Sequence, residues 1–514
     1  MEDIEKKVAP RSAPEISSDE GRTFELNGRL PEKGHLDVGF DLFQQSHQYD
    51  PAQLELDAVK VRKKLDFILL PMMMMTYMLS FLDKQTLNYS NAYGLQADTH
   101  MTGDDYSWVS SALYFGWLAG AYPWNVALQR FPIGKMMGGM LLVWGVVCML
   151  QATVFNFSGF FAVRFFLGLV EACISPAWVL LTSMFWTREE QPLRTSFWLS
   201  VNGVSSIIGA LLSYGLGHVD NLALPNWKLI YLVVGAMTIV WGVVILLYLP
   251  DGPHNAKILT EYERVVAIWR ISKNQTGIKD PKILPHQITE ALLDPKTYLL
   301  ILMAACYGIL NGGVANFISA LIKGLGFDAL RTSLLQTPGG AFELIMVIAF
   351  GYLSTYKNML GVTIILGCIP GIAGLAGLMT IGLEHQYSLV ACCWLQNILG
   401  SPIVLSWTLP ALNVAGHTKR TTVLGLYFVV YCAGNIAGPH LFLTPEAPRY
   451  PSAIKGLLVA YCVAAGLQVA YTGLCYFDNK KRDRQGLRHD SEQEALEGFE
   501  DLTDKENLHF RYKL

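Results

Sequence analysis

Arg164-Phe165-Phe166-Leu167-Gly168-Leu169-Val170-Glu171-Ala172-Cys173-Ile174-Ser175-Pro176 lies inside an apolar run from about Phe157 to Trp186. A run of that length crosses a bilayer as a helix. An arginine and a glutamate at such depth each cost several kcal/mol to insert and persist where they face a polar interior. Their i, i+7 spacing puts both on one helix face, roughly 10 Å apart at 1.5 Å rise per residue. That is too far for a direct ion pair. It suits two jobs on one cavity wall: Arg164 holding an anion, and Glu171 gaining and losing a proton. The alternative reading is structural, with Arg164 bonded to backbone carbonyls and Glu171 paired to a neighbouring helix. Gly168 between them fits a close helix contact, and Pro176 a kink one turn beyond.

The whole chain has the same character. Its 514 residues are 52% hydrophobic and 16% charged, with a mean hydropathy of +0.31. A soluble chain carries about a quarter charged residues. The expectation is an all-α membrane protein with twelve transmembrane helices in two six-helix halves. Residues 1–60 read as a disordered tail and 61–249 as the N-terminal half. Residues 250–295 form a central loop with a short surface helix around Thr260-Glu261-Tyr262-Glu263-Arg264. The C-terminal half follows over 296–479, and a charged, disordered tail over 480–514. Twelve candidate spans run from 65–86 to 455–477. Lys60, Arg62, Lys63, Lys64, Arg130, Lys135, Arg188, Arg194, Lys357, Lys419 and Arg420 fall on one side. Lys84, Lys228, Arg331 and Arg449 fall on the other. That bias puts both termini in the cytoplasm and leaves the sequon Asn274-Gln275-Thr276 inside, unglycosylated. The nine cysteines all fall in apolar segments and read as small core residues.

Several motifs together resemble the major facilitator superfamily, and more closely its anion:cation symporter family in the fungal allantoate-permease branch. They are Phe81-Leu82-Asp83-Lys84-Gln85-Thr86-Leu87-Asn88, the Arg164/Gly168/Glu171/Pro176 pattern, and Leu249-Pro250-Asp251-Gly252-Pro253. To these are added Asn413-Val414-Ala415-Gly416-His417-Thr418-Lys419-Arg420 and Gly434-Asn435-Ile436-Ala437-Gly438-Pro439. The resemblance covers roughly residues 60 to 480. It implies proton-driven import of a small organic anion, an allantoate-, nicotinate- or pantothenate-like carboxylate. The resemblance also links Arg164 to anion binding and Glu171 to proton coupling. Gln129 departs from the pattern, standing where the superfamily carries an aspartate before Arg130. His440 is also unusual for the branch.

Further candidates come from the second half. Glu343 is a buried acidic residue of span eight, either a second proton site or selectivity group, or a carboxylate favoured by the helix dipole. Asn311-Gly312-Gly313 and Asn316 offer a loosened helix with amides for substrate, or else a packing seam. Asp83 and Lys84 end span one about 100° apart and so do not pair with each other; one lines the external vestibule with a direct substrate role, or both form an interfacial cap. Trp124, Trp178, Trp394 and Trp407 read mainly as packing or interface anchors. No phosphate loop, H-E-x-x-H or G-x-S-x-G motif appears, so the chain reads as no enzyme. No cofactor is expected beyond the proton gradient as energy source. The implied partners are a small-molecule organic anion, protons and the lipid bilayer, with no nucleic acid, for a monomer in the plasma membrane. An antiporter exporting a secondary metabolite is the alternative.

Overall fold

A computed structural model describes residues 40–46, 48–102, 104–187, 189–219, 224–272, 284–356, 359–447, 449–484, 502–507 and 510–514. The expected tail up to residue 39, Arg188, Lys357 and the sequon at 274–276 lie outside the described residues.

Helix α1 runs Pro51–Ala92, started by Pro51 and by the Asp50 carboxylate, which accepts the Ala52 N–H. A short helix, Phe40–Ser46, precedes it, so helical structure begins inside residues 1–60, expected as a disordered tail, and α1 itself starts ten residues before the expected boundary. Three further helices follow, α2 over Asp105–Arg130, α3 over Ile133–Leu150 and α4 over Phe157–Glu171. The Asn156 side chain caps α4 by accepting the Gly159 N–H. After a break at Ala172 and Cys173 the span resumes as α5, Ile174–Phe185, and then α6, Gln191–Gly217, and α7, Asn226–Tyr248, complete the half. Gly168 explains how α2 and α4 come so close: a Cβ there would fall 1.9 Å from the Leu113 carbonyl oxygen.

The expected surface helix is α8, Glu261–Ser272, begun by a reciprocal cap between Thr260 and Glu263. It buries Val265, Val266 and Ile271, and its Glu263 pairs with Lys64 of α1 at 2.6 Å. A second loop helix, α9, spans Pro285–Leu293. The other half comprises α10 (Pro295–Gly324), α11 (Ala329–Leu334), α12 (Thr337–Tyr356), α13 (Leu360–Thr380), α14 (Gln386–Gln396), α15 (Gly400–Asn413), α16 (His417–Ala437) and α17 (Pro451–Arg484).

Among the described residues the regular secondary structure is all helical, and eleven of the helical stretches are long and apolar enough to cross a membrane. The remaining span of the expected twelve is α2, which at 26 residues is about 39 Å long. It is less apolar because its serines face other helices. Ser107 and Ser111 donate to the Pro439 and Ile436 carbonyls at 3.3 and 3.0 Å.

Two expectations about the ends change. The last helix continues to Arg484, and residues 502–507 and 510–514 pack onto the protein: Thr503, Asp504 and Tyr512 are all buried. Charge alone suggested disorder there, yet these charges have partners in the fold.

Candidate functional site

Between the two halves lies a cavity walled by α1, α2, α6, α10, α12, α14, α15 and α16. Its polar lining holds Lys84 and Gln85 on α1, Asn202 on α6, Asn311 on α10, Glu343 on α12 and the Gln396-Asn397 pair at the end of α14. Tyr77, Tyr114, Trp117, Trp407 and Tyr431 supply aromatic faces.

The charge on this wall is set by helical phase. Ser80 and Lys84, one turn apart on α1, both turn toward α4. Lys84 Nζ lies 3.2 Å from Glu171 Oε1 and 4.0 Å from the centre of the Trp117 ring. The Ser80 hydroxyl donates to the same carboxylate oxygen. Trp117 Nε1 donates to Glu171 Oε2 at 3.3 Å. Glu171 is 1% exposed, so it stands just behind the cavity wall and reaches the cavity through Lys84 and Trp117. Asp83, rotated about 100° from Lys84, turns away toward α3. It accepts from Trp144 Nε1 at 2.8 Å and from Cys148 Sγ at 3.1 Å.

Arg164 belongs to that second environment. It is 1% exposed, its electrostatic neighbours are Tyr231, Asp83 and Cys148, and it is outside the cavity lining. The i, i+7 face of α4 thus serves two places. Glu171 backs the cavity, while Arg164 sits deep within the N-terminal half. The cation that lines the cavity is Lys84, counted at the sequence level among the outer charges.

Glu343 does line the cavity and is 5% exposed. Among the described residues its carboxylate has no hydrogen-bond partner, and Gly400 makes room for it: a Cβ there would come within 2.7 Å of Glu343 Oε1. Asn311 lines the cavity too, donating to Asn435 Oδ1 at 2.7 Å and to the Tyr114 hydroxyl at 3.3 Å. Asn316 does not. Its amide donates back to the Gly312 carbonyl at 2.8 Å, and its own carbonyl accepts from the Tyr106 hydroxyl at 3.2 Å. Of the four tryptophans singled out from sequence, Trp407 lines the cavity. Trp124 and Trp394 donate to the Leu169 and Leu335 carbonyls. Sequence reasoning missed Trp117, whose only signal was its place in the serine- and glycine-bearing α2.

Above the cavity, on the side that the Lys/Arg bias makes the outer one, the halves are joined by a polar seam. Asn88 Nδ2 donates to Gln336 Oε1 at 3.1 Å and Asn88 Oδ1 accepts the Ser319 N–H at 3.3 Å. Gln336 in turn donates to Ser319 Oγ at 2.8 Å. Lys323 Nζ reaches the Ala92 carbonyl at 3.2 Å. The Tyr106, Ser107 and Ser111 bonds tie the two halves together on the same side.

The profile of the Major Facilitator Superfamily matches residues 73–439. An uncharacterized transporter of Schizosaccharomyces pombe is 37% identical over 494 residues, 95% of each chain. The allantoate permease of Saccharomyces cerevisiae is 32% identical over 471 residues, 88% of this chain and 86% of its own. The thiamine pathway transporter of the same yeast is 32% identical over 472 residues, 91% and 88%. Two solved structures share the fold at a TM-score of 0.55 each. One is a bacterial homolog of the human lysosomal transporter Spinster, inward-facing and occupied (14% identity, 79% of this chain and 96% of that one). The other is the Escherichia coli fucose:proton symporter (13%, 77% and 98%). These likenesses are to transporters, with no enzyme among them, and they agree with a multi-pass helical chain enclosing a polar central cavity. The chain belongs to the major facilitator superfamily, as a transporter of small molecules with the fungal allantoate permease among its relatives.

Proposed function

We propose that this transporter imports a small organic anion together with a proton, and that the Lys84–Glu171 pair is the coupling device. The carrying observation is the 3.2 Å ion pair on the cavity wall. While Glu171 is ionised it occupies Lys84. Once protonated it frees the ammonium to take the substrate carboxylate, so proton and anion bind as partners. Facing Glu171 are Ser80, Tyr77 and Lys84 from α1 and Trp117 and Tyr114 from α2, with Asp83 and Cys173 as further electrostatic neighbours. Lys84 is the positive charge closest to it. Binding biases the rocking of the halves by its difference in affinity between their two states. When Glu171 loses its proton on the inner side it reclaims Lys84 and displaces the anion.

Asn311, Gln85, Asn202 and the aromatic faces supply hydrogen bonds and stacking for an amide- or ring-bearing carboxylate of the allantoate, nicotinate or pantothenate kind. The likeness to an allantoate permease supports that class. Glu343, on the opposite wall, is the second carboxylate, reading donor groups on the substrate or carrying a proton itself. Arg164 acts as the charge that holds Asp83, and Asn316 as part of the outer seam. The proposed site of action is the plasma membrane.

The test is uptake of labelled allantoate, nicotinate and pantothenate into cells lacking their own carriers, at an external pH of roughly 5 and roughly 7.5. Wild type should accumulate one acid faster at the lower pH. Lys84→Met should lose that uptake by about tenfold or more, and Glu171→Gln should transport without responding to pH. Uptake in Lys84→Met equal to wild type, or a wild-type rate indifferent to pH, would sink the coupling; efflux of a preloaded acid would reverse the direction.

A further inference from the structure

The Asn413–Arg420 stretch, conspicuous in the sequence, takes no part in the cavity. Its Asn413, Gly416 and Lys419 meet the C-terminal residues. Asn413 pairs its side-chain amide with a backbone unit, donating to the Lys513 carbonyl at 2.9 Å and accepting the Lys513 N–H at 2.7 Å. On α17, Asn479 does the same to Tyr512, at 2.9 and 3.0 Å. Two asparagines thus read the backbone of adjacent tail residues as a neighbouring strand would. Gly416 turns with φ +83°, and a Cβ there would meet Gln287 Oε1 at 2.9 Å and Thr503 Cγ2 at 3.1 Å.

Lys419, 1% exposed, is the centre. Its Nζ donates to Glu290 of α9 at 2.9 Å, to Asp294 at 3.0 Å and to Asp504 at 2.6 Å. Asp504 also accepts from the Tyr512 hydroxyl at 2.7 Å, and its carbonyl accepts from Arg482 Nη2 at 2.5 Å. The Tyr512 ring carries Lys296 Nζ at 3.7 Å and the Arg482 guanidinium at 5.0 Å. Thr503 donates to Glu290 at 2.9 Å. A segment with no use would not meet buried charge of the opposite sign at each step, since an ion buried without its partner is costly.

We infer that the Asn413–Arg420 turn, with Asn479 and Arg482, is a receptor for the chain's own C-terminal segment. Seated there, residues 502–507 and 510–514 act as a strap joining α9, the inner ends of α10, α15 and α16, and the end of α17 into one body. The halves of such a carrier rock as units, and the strap keeps the inner rim of one unit from fraying as it moves. It touches no cavity residue, so it governs how fast the carrier turns over and leaves substrate affinity alone.

The test uses the full-length protein in lipid nanodiscs and hydrogen–deuterium exchange on peptides covering 502–514, against the free synthetic peptide of the same sequence. The seated segment should exchange about tenfold or more slowly than the free peptide, and both Asn413→Ala and Asp504→Asn should bring it toward the free rate. Exchange in wild type at the free rate overturns the receptor. The same variants are then assayed for uptake of the panel acid that wild type carries. A maximal rate reduced severalfold with unchanged half-saturation supports the strap. A wild-type maximal rate with a freed segment overturns its role in turnover. Loss of half-saturation together with rate overturns it as well, marking the segment as part of the folded core.

Discussion

At the scale of single residues, Asp83 and Lys84 show how adjacent charges acquire different work. One faces the packed interior of a half and the other the space between halves, because successive helical positions diverge by about 100°. Arg164 and Lys84 are therefore expected to fail differently when removed. Arg164→Met removes a fully buried charge whose electrostatic neighbours are Tyr231 and Asp83 and should lower the melting temperature of the purified protein. Lys84→Met should leave that temperature within a few degrees of wild type while abolishing uptake, since Glu171 can take up a proton there. Thermal unfolding followed by tryptophan fluorescence separates the two; equal melting temperatures would place Arg164 outside the structural cluster. The sequence exposed Arg164 and Glu171 as costly intramembrane charges, but it could not reveal which cation the cavity holds. That depends on α1 lying against α4 through Ser80 and Lys84, a long-range contact with no local signature.

At the scale of elements, helices were legible because hydropathy and capping are local: Asp50, Asn156 and Asp294 each start a helix by accepting an N–H two or three residues on. The helix α8 was visible from its Thr-x-x-Glu start. The docking of residues 502–507 and 510–514 was not, because a charged stretch looks alike whether its partners are water or Lys419. Its clamp carries a pH signature. Burial raises the Asp294 carboxyl, but the ammonium of Lys419, with that of Lys296, more than offsets this and holds it below its ordinary value of 3.8. Glu290, Asp504 and Lys505 complete the charges around it. A carboxyl whose pKa is lower folded than unfolded stabilises fully above the unfolded value and loses that contribution as pH falls through the folded one. Protection of the segment, corrected for intrinsic exchange, should therefore stay level from pH 8 to pH 5 and fade below about 3.8. A loss of protection between pH 7 and pH 5 would contradict this assignment.

At the scale of the whole molecule, the two halves meet through the cavity and the outer seam. Each seam hydrogen bond contributes about 1 kcal/mol, so removing the Asn88 and Gln336 side chains should favour opening to the outside. In a Ser107→Cys background, Asn88→Ala with Gln336→Ala should raise the rate of labelling by an impermeant maleimide about tenfold or more. Labelling no faster than in the background alone would mean that the seam does not hold the halves together.

The composition of that seam has a consequence for life in a changing medium. Asn88, Gln336, Ser319, Tyr106, Ser107 and Ser111 are neutral, and Lys323 spends its charge on a carbonyl. The ion-paired strap lies at the opposite end of the molecule. Dissolved ions screen charge pairs and leave neutral amide and hydroxyl bonds nearly untouched. The balance between the carrier's two orientations is thereby shielded from the ionic strength and acidity of the outside. A response to external acid then reports the protonation of the cavity rather than a loosening of the door.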